Sequence, residues 1–473
     1  MTLGTWTDLV DLIAIIGFIL ALKGLSSPRH ARRGNLIGAL AAALAIAMTF
    51  TNPALRHQGP LDLANHHLNL VLILVAMLIG AGVAVPTARM VKMTAMPQMV
   101  AIFNGVGGGA AALVSVTELL KLPGSHVAVY KIGEVLFGVL VGSVSFSGSA
   151  IAFAKLQEIM TGRPLTYPGQ QQVNAVIGLG IAGLALAALT TEHIVFVYLL
   201  LLLALVLGVA FVMPIGGADV PVLISLLNSF TGLAVAASGF TLDNDLLIVA
   251  GTLVGASGIL LTRLMSAAMG RSLPNILFSA FGSVITADPD AHAAAGRAVR
   301  TGTVDDVSVL LAYARKVAIV PGYGLAVAQA QHAAKELADV LSRRGVEVYY
   351  AIHPVAGRMP GHMNVLLAEA NVPYEQLKEM DEANAEMQTT DVALVVGAND
   401  TVNPAARNTP GSPIYGMPII NVDQAENVIF LKRSMRPGFA GIDNELLYDP
   451  KTTMLFGDAK DSLTKLSSAV TVA

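Results

Sequence analysis

Long runs of apolar residues dominate the first 270 positions of the chain and then stop. Nine segments of this part are long enough to cross a bilayer, since one span needs about 20 residues. The predicted spans are 7–23, 35–53, 67–86, 96–120, 129–154, 172–190, 193–213, 220–240 and 245–267. The pattern predicts a polytopic α-helical membrane bundle of about nine spans over residues 1–270.

Lysine and arginine are distributed unevenly over the loops between these spans. The odd loops and the segment after the ninth span hold Lys23, Arg29, Arg32, Arg33, Arg89, Lys92, Lys155, Arg163, Arg263 and Arg271. The even loops hold fewer, namely Arg56, Lys121 and Lys131. By the positive-inside rule, the odd loops and the whole C-terminal domain are expected to face the cytoplasm, and the N-terminus to lie outside.

The last third of the chain alternates between short β-branched runs and helical patterns. Predicted strands cover Val317–Val320, Val346–Ile352, Val392–Val396, Met417–Asn421, Val428–Leu431 and Thr453–Phe456, and predicted helices include Leu325–Arg344 and His362–Ala370. This alternation predicts a Rossmann-like α/β domain with a parallel sheet over residues 313–473. Residues 271–312 are then a connector.

Composition agrees with this division and excludes several kinds of chemistry. The chain is 54% hydrophobic and 13% charged, whereas soluble domains carry about 25% charged residues. The net charge of −3 gives no support for nucleic-acid binding. Because cysteine is absent, disulfides, thiolate catalysis and cysteine-ligated metals are excluded. We expect no metal site.

A glycine turn follows the first predicted strand of the α/β domain. Gly322, Gly324 and Val327 occupy the three small-residue positions of G-x-G-x-x-G/A, so only the first two match. A strand, a tight turn and a helix start are typical of a dinucleotide pyrophosphate site. The alternative is a turn with a purely structural role.

Two further strand ends bear on which dinucleotide would bind. A domain specific for NAD places an acid at the end of its second strand, but here that end carries His353 and Arg358. Lys432, Arg433 and Ser434 follow a later strand and offer two cations and a hydroxyl, which a 2′-phosphate requires. The alternative for these three residues is a solvated strand end.

Acidic turns follow two other predicted strands. Asp400 lies in the run from Gly397 to Pro404, and Asp458 lies in the turn from Gly457 to Lys460. A ligand crevice is expected at this edge of an open sheet. Each aspartate is either a ligand to a nucleotide or the cap of its own turn.

Polar residues inside the predicted spans are candidates for transport, since a charged group in lipid costs several kcal/mol. Glu134 lies in the fifth span, Asp219 begins the eighth, and Asn104 and Asn228 lie in the fourth and eighth. A buried asparagine either joins two helices by a hydrogen bond or takes part in a transport path.

Taken together, these residues resemble the β subunit of the proton-translocating NAD(P) transhydrogenases, over essentially the whole chain. The resemblance is most specific in PGYGLAVAQAQ, IHPVAGRMPGHMNVLLAEA, VGANDTVNPAA, KRSM and MLFGDAK, and in the membrane part in MTAMPQMVAIFNG and GGADVPVLISLLNSFTG. It implies that the C-terminal domain binds NADP(H), in an orientation reversed relative to most Rossmann proteins.

The resemblance also implies which residues contact the dinucleotide. Those for the pyrophosphate region and the adjoining loop are Gly322, Tyr323, Gly324, Ala326, Val327, Val355, Ala356, Gly357, Arg358 and Met359. Those for the nicotinamide half and the 2′-phosphate are Gly397, Ala398, Asn399, Asp400, Thr401, Lys432, Arg433 and Ser434. Gly438, Phe439 and Ala440 belong to a lid, and Gly457, Asp458 and Ala459 complete the site.

In the membrane, the resemblance implies a proton pathway through Asn104, Asp219 and Asn228. Some relatives have a histidine at the position of Asn104, and an asparagine does not titrate near pH 7. Asn104 then either orients a water chain, or the titrating group lies elsewhere. Glu134 and the partner subunit are the candidates for that group.

The implied enzyme transfers hydride directly between NADH and NADP⁺, from the Si face to the Re face, so no side chain acts as acid or base. Since the chain has no second dinucleotide fingerprint, NAD(H) must bind to a partner, the α subunit. The resemblance implies a dimer of αβ units in a bacterial inner membrane. The alternative is a secondary transporter gated by an NADP(H)-sensing cytoplasmic domain.

Overall fold

The computed structural model describes residues 3–27, 30–51, 67–91, 95–121, 129–157, 159–160, 165–191, 193–216, 219–269, 272–278, 299–357, 361–410, 412, 414–438 and 440–472. These residues form two compact units. The first contains the long helices up to Leu261, except Ile215–Val222. The second contains Ile215–Val222 and the chain from Thr262 onward.

Nine long helices account for the apolar runs of the described chain. They are α1 (Leu3–Leu25), α2 (Ala31–Thr51), α3 (His67–Met90), α4 (Met96–Lys121), α5 (Val129–Leu156), α6 (Gln170–Thr191), α7 (Ile194–Val212), α8 (Val220–Thr241) and α9 (Asp245–Ala268). Helices α2 to α9 are each long and apolar enough to span a membrane, and α1 has 23 residues. The predicted bundle of about nine spans is confirmed, and the protein is a multi-pass membrane protein.

Small residues bring these helices into close contact. A Cβ added to Gly142 of α5 would lie 2.6 Å from the Gly108 carbonyl oxygen of α4. One added to Gly232 of α8 would lie 2.5 Å from the amide nitrogen of Gly255 in α9. Without a hydrophobic force between helices in lipid, such close packing is a main source of association.

Six parallel strands form the sheet of the second unit. They are β1 (Lys316–Pro321), β2 (Glu347–Ile352), β3 (Leu377–Glu379), β4 (Val392–Val396), β5 (Asn427–Lys432) and β6 (Thr452–Phe456). Their order is β3-β2-β1-β4-β5-β6, so the predicted doubly wound sheet is confirmed. The order reverses between β1 and β4, and ligands of such sheets bind at that point.

Short helices surround the strands. They are α11 (Val304–Tyr313), α12 (Tyr323–Val327), α13 (Gln331–Arg343), α14 (His362–Glu369), α15 (Met380–Met387), α16 (Ala405–Asn408) and α17 (Ala459–Val472). The short helix α10 (Leu273–Phe278) instead packs against Val222 of α8 and Met265 of α9. The predicted helix Leu325–Arg344 is divided between α12 and α13. Gln329 lies between them with φ at 52°, in the left-handed region, and this conformation interrupts the helix.

Strand prediction failed at two places. The run Met417–Asn421 is not a strand, because its backbone does not bond to a neighbouring strand: the Ile420 N–H donates to the Thr401 carbonyl, and the Asn421 N–H donates to the Asn384 side chain on α15. Strand β3 was not predicted, since it has only three residues, of which two are charged.

The end of the predicted connector is folded against the sheet. Thr301 pairs with Met454 of β6 as an isolated parallel bridge, and α11 follows after a capping box formed by Thr303 and Asp306. Residues 279–298 lie outside the described chain. The division at residues 270 and 312 stays a prediction.

Charged side chains form a cluster at the amino ends of the strands. Glu386 of α15 pairs with Lys316 of β1 at 2.5 Å and with Lys378 of β3. Partial burial alone would raise the pKa of Glu386, but these two ammonium groups outweigh it and hold the pKa below its ordinary value of 4.5. The cluster thus joins the helix α15 to the strands β1 and β3.

We predict that Glu386→Gln lowers the unfolding free energy of the second unit by about 1–3 kcal/mol at pH 7. The Glu386 carboxylate stabilises the fold at pH values above the pKa that it has in the unfolded chain. The difference in unfolding free energy between wild type and the variant therefore shrinks as the pH falls below about 4.5. Pulse proteolysis in urea on the detergent-solubilised chain measures both values. The exposed Glu336 provides the control Glu336→Gln, and a difference that is unchanged at about pH 3.5 would contradict the assignment.

Candidate functional site

The turns that follow β1 and β4 touch through their backbones. The Gly322 N–H donates to the Val396 carbonyl and the Gly324 N–H to the Gly397 carbonyl, both at 2.9 Å. A Cβ on Gly324 would lie 2.7 Å from the Gly397 Cα. The glycines are therefore needed for the close approach of two loops. Because both N–H groups have protein partners, their contact with a pyrophosphate stays a prediction.

The rest of the first turn forms the short helix α12. Tyr323 begins it, Ala326 is fully buried and Val327 is 44% exposed. A valine is tolerated at the third small-residue position because its side chain points away from the packed interior.

A buried histidine organises the loop after β2. His353 is 1% exposed. Its Nε2 lies 2.7 Å from the Pro418 carbonyl oxygen, and its Nδ1 accepts from the Val355 N–H at 3.2 Å. These partners require the neutral ring with the proton on Nε2, and burial lowers the His353 pKa, which favours the same form.

The residues after His353 form a tight turn. Ala356 is buried and donates its N–H to the His353 carbonyl at 3.0 Å. Gly357 has φ at 110°, and a Cβ there would overlap the His362 ring. Arg358 and Met359 lie outside the described residues.

Polar side chains from two strand ends meet between β4 and β5. Asn399 accepts from the Lys432 ammonium at 2.8 Å and donates to the Asp400 carboxylate at 3.0 Å. The other Asp400 oxygen accepts from the Ala440 N–H at 2.9 Å. Asp400 therefore binds the predicted lid and does not cap its own turn. The adjacent Thr401 accepts from Ile420 through its carbonyl.

Lys432 is the partly buried cation of this cluster. Burial lowers its pKa, and the carboxylates of Asp400 and Asp443 only partly offset that effect. The next two residues, Arg433 and Ser434, are exposed. The run therefore presents one positioned cation, one free to move in solvent and one hydroxyl, a set that suits a phosphate.

The predicted lid packs against the same carboxylate. A Cβ on Gly438 would lie 2.5 Å from the Asp400 Oδ1. Ala440 donates to that carboxylate, while Phe439 lies outside the described residues.

The turn after β6 adjoins Lys432 through the backbone. The Gly457 N–H donates to the Lys432 carbonyl at 3.1 Å. The Asp458 carboxylate accepts from the Lys460 N–H at 3.0 Å and so caps α17, which begins at the buried Ala459. Its contact with a nucleotide stays a prediction.

Two buried asparagines in the turns around the site were not predicted from the sequence. Asn444 is buried and donates to the Asn399 carbonyl at 3.1 Å. Asn403 is buried and donates to the Asp443 carbonyl at 2.9 Å. Only the frequency of Asn and Asp in turns could have indicated them.

A polar cluster surrounds Asn104 inside the membrane helices. Its Nδ2 donates to the hydroxyls of Ser149 at 2.9 Å and Ser145 at 3.3 Å, both on α5. Ser145 also contacts the Thr231 hydroxyl on α8 at 2.6 Å. The Asn104 Oδ1 is buried, and no described residue bonds to it. Ser145 and Ser149 are four residues apart and so lie on the same face of α5, and sequence reasoning did not use this spacing.

The other predicted proton-path residues have no side-chain hydrogen bond to Asn104 in the part of the chain that the structure describes. Asn228 is half-buried one residue after Leu227, whose carbonyl accepts from Ser145. Glu134 lies on α5, eleven residues before Ser145, which is roughly 17 Å along a helix. One Glu134 oxygen is buried and has no hydrogen bond among the described residues. Asp219 is buried and belongs to the second compact unit.

Lys155 was counted as a loop residue, but it lies buried in the last turn of α5. Its ammonium donates to the carbonyls of Met213 at 2.6 Å and Val212 at 3.2 Å. These are carbonyls at the end of α7, where a cation is favoured by the helix dipole.

Comparison with known proteins places these features in one family. The family model described as NAD(P) transhydrogenase beta subunit matches residues 7–469. Two relatives from Rhodospirillum rubrum, both called NAD(P) transhydrogenase subunit beta, are each 48% identical over 465 residues. The alignments cover 97% of this chain and 98% of theirs. The chain therefore belongs to the NAD(P) transhydrogenase beta subunit family.

Proposed function

We propose that this chain binds NADP(H) and couples hydride transfer between NADH and NADP⁺ to proton movement across the membrane. The proposal is based on a group of hydrogen bonds at the carboxyl edge of the parallel sheet. These bonds connect a cation to the predicted lid. Lys432, Asn399, Asp400 and Ala440 form them. The family of the chain supports the same activity.

The residues present fit an NADP(H) molecule. Lys432, Arg433 and Ser434 would hold its 2′-phosphate, and the glycine turns lie at the strand switch point, where ligands of open sheets bind. The nicotinamide half would lie near Gly397–Thr401, under the lid at Gly438–Ala440. When bound, NADP(H) supplies the nicotinamide that gives or accepts hydride.

The protein's contribution to the transfer is positioning. Two apposed nicotinamides exchange hydride without an acid or base, so no side chain of this chain needs to carry a proton for that step. The relatives are named as beta subunits, which supports an α subunit as the source of the NAD(H) site. A dimer of αβ units in a bacterial inner membrane is part of this proposal.

The membrane helices would carry the proton. One charge moved through about 100 mV yields roughly 2.3 kcal/mol. At about 150 mV this is near 3.5 kcal/mol, which shifts a redox ratio a few hundredfold at about 1.4 kcal/mol per decade. The hydrogen-bonded cluster at Asn104 supports a polar route between α4, α5 and α8, and the positive-inside rule places the nucleotide domain in the cytoplasm.

Reconstitution of the chain with its candidate α subunit in vesicles tests the function. We expect NADPH formation from NADH to rise when protons flow toward the nucleotide domain and to fall when an uncoupler is added. Solute uptake that depends on NADP(H) without hydride transfer would instead support a gated transporter.

We predict that Lys432→Ala combined with Arg433→Ala weakens NADPH binding roughly a hundredfold, because two charge-assisted contacts to the phosphate are lost. Fluorescence titration with NADPH and NADH measures the selectivity. Lys465→Ala removes an exposed cation of α17 and serves as the control. An equal loss for both nucleotides would refute the phosphate assignment.

We predict that Asn104→Ala lowers the number of protons moved per NADPH formed, while NADP(H) affinity stays at the wild-type value. The amide links hydroxyls of α5, and its loss interrupts that polar contact. Ser147→Ala is the matched control, since this buried hydroxyl bonds only within its own helix. Proton pumping at the wild-type level would remove Asn104 from the pathway.

A further inference from the structure

The side chain of Asn399 lies between a cation and a carboxylate. Its Oδ1 accepts from the Lys432 ammonium at 2.8 Å, and its Nδ2 donates to the Asp400 Oδ1 at 3.0 Å. An ammonium only donates and an ionised carboxylate only accepts. These neighbours therefore fix the orientation of the amide, and neither hydrogen bond survives its reversal.

The backbone of Asn399 is held in place by a buried side chain. Its backbone carbonyl accepts from the Asn444 side chain at 3.1 Å, and Asn444 is 1% exposed. On the other side, Asp400 uses its second oxygen to hold the Ala440 N–H at 2.9 Å. A continuous series of hydrogen bonds therefore runs from Lys432 through Asn399 and Asp400 to the segment 438–440.

A direct ion pair between Lys432 and Asp400 would be the alternative arrangement. The two opposite charges attract strongly in a partly buried setting. By bonding to both, the Asn399 amide satisfies them while keeping them apart. Lys432 has three N–H donors and gives one to Asn399, so donors remain for an anion.

We propose that Asn399 is a positioning residue that keeps Lys432 available to the 2′-phosphate and links that phosphate to the lid at 438–440. This rests on the proposed NADP(H) site. Without the amide, Lys432 and Asp400 collapse into an ion pair, which competes with the phosphate and withdraws the Asp400 oxygen from Ala440. Recognition of the phosphate and position of the lid are then lost together.

Binding of adenosine 2′-monophosphate and 5′-monophosphate to the detergent-solubilised full chain isolates the phosphate. We expect Asn399→Ala to weaken the 2′ compound about tenfold or more, the size expected for a lost charge-assisted contact, and to leave the 5′ compound unchanged. Asn399→Asp, which keeps the shape and adds a charge beside Asp400, should give the same selective loss. Asp400→Asn in the Asn399→Ala background removes the competing carboxylate and should restore part of the 2′ affinity.

Hydrogen exchange at the Ala440 amide gives the second readout. In wild type, NADP⁺ should slow this exchange, and in Asn399→Ala it should not. Asn403→Ala is the matched control, because the side chain of this buried asparagine of the same turn bonds to Asp443 and Ala405 and to neither Lys432 nor Asp400, and its backbone bond to the Asp400 carbonyl is kept in the variant. The control should keep both the selectivity and the response of Ala440.

The outcomes separate the two claims. If wild type does not distinguish the 2′ from the 5′ compound, the proposed NADP(H) site itself fails. If wild type distinguishes them and Asn399→Ala does so equally well, only the role of Asn399 is overturned. An equal loss of selectivity in Asn403→Ala would show that the effect comes from general damage to the turn, and it would also overturn the role of Asn399.

Discussion

The backbone contact between the turns after β1 and β4 is the constraint on which the candidate site at the edge of the sheet depends. Gly324 and Gly397 approach so closely that neither position has room for a Cβ. This contact fixes the start of the turn that carries Asn399 and Asp400. Strand β5 pairs with β4 in register up to Leu431. The next residue, Lys432, therefore lies opposite that turn. Packed interiors transmit displacements, so a side chain at either glycine would separate the charges as well as the turns.

Sequence reasoning succeeded where the structure depends on local pattern. The apolar runs predicted the membrane helices because any segment in lipid must satisfy its own backbone. The strand predicted at Val317–Val320 lies within the observed Lys316–Pro321 because buried parallel strands are continuous apolar runs. The run Met417–Asn421 has similar residues, but Asn384 and Thr401 take its N–H groups. Which partner a backbone group finds is a non-local fact that a local pattern does not contain.

The same limit applies to the candidate site. The residues at the strand ends were identifiable, because open sheets bind ligands at that edge. Their pairing was not, since Asn399 and Lys432 lie 33 residues apart and Asn399 and Asn444 lie 45 apart. In the membrane, Asn104 was a candidate on its own, whereas its partners Ser145 and Ser149 are 41 and 45 residues away. Neutral serines also carry no unusual cost in lipid that would single them out.

The two polar clusters differ in a way that limits how proton movement could be coupled to NADP(H). The Asn104 cluster consists of an amide and hydroxyls, which stay neutral at ordinary pH, so it can orient a proton carrier but cannot store the charge. Linkage requires a group whose protonation changes the affinity of the protein for NADP(H). NADP(H) binding then changes the proton affinity of that group by the same factor. Of the four predicted proton-path residues, Glu134 and Asp219 carry a carboxyl group. Asp219 belongs to the compact unit that contains the sheet, whereas Glu134 belongs to the other. Under the proposed function, coupling therefore depends on one of these two carboxyl groups or on a group of the partner subunit.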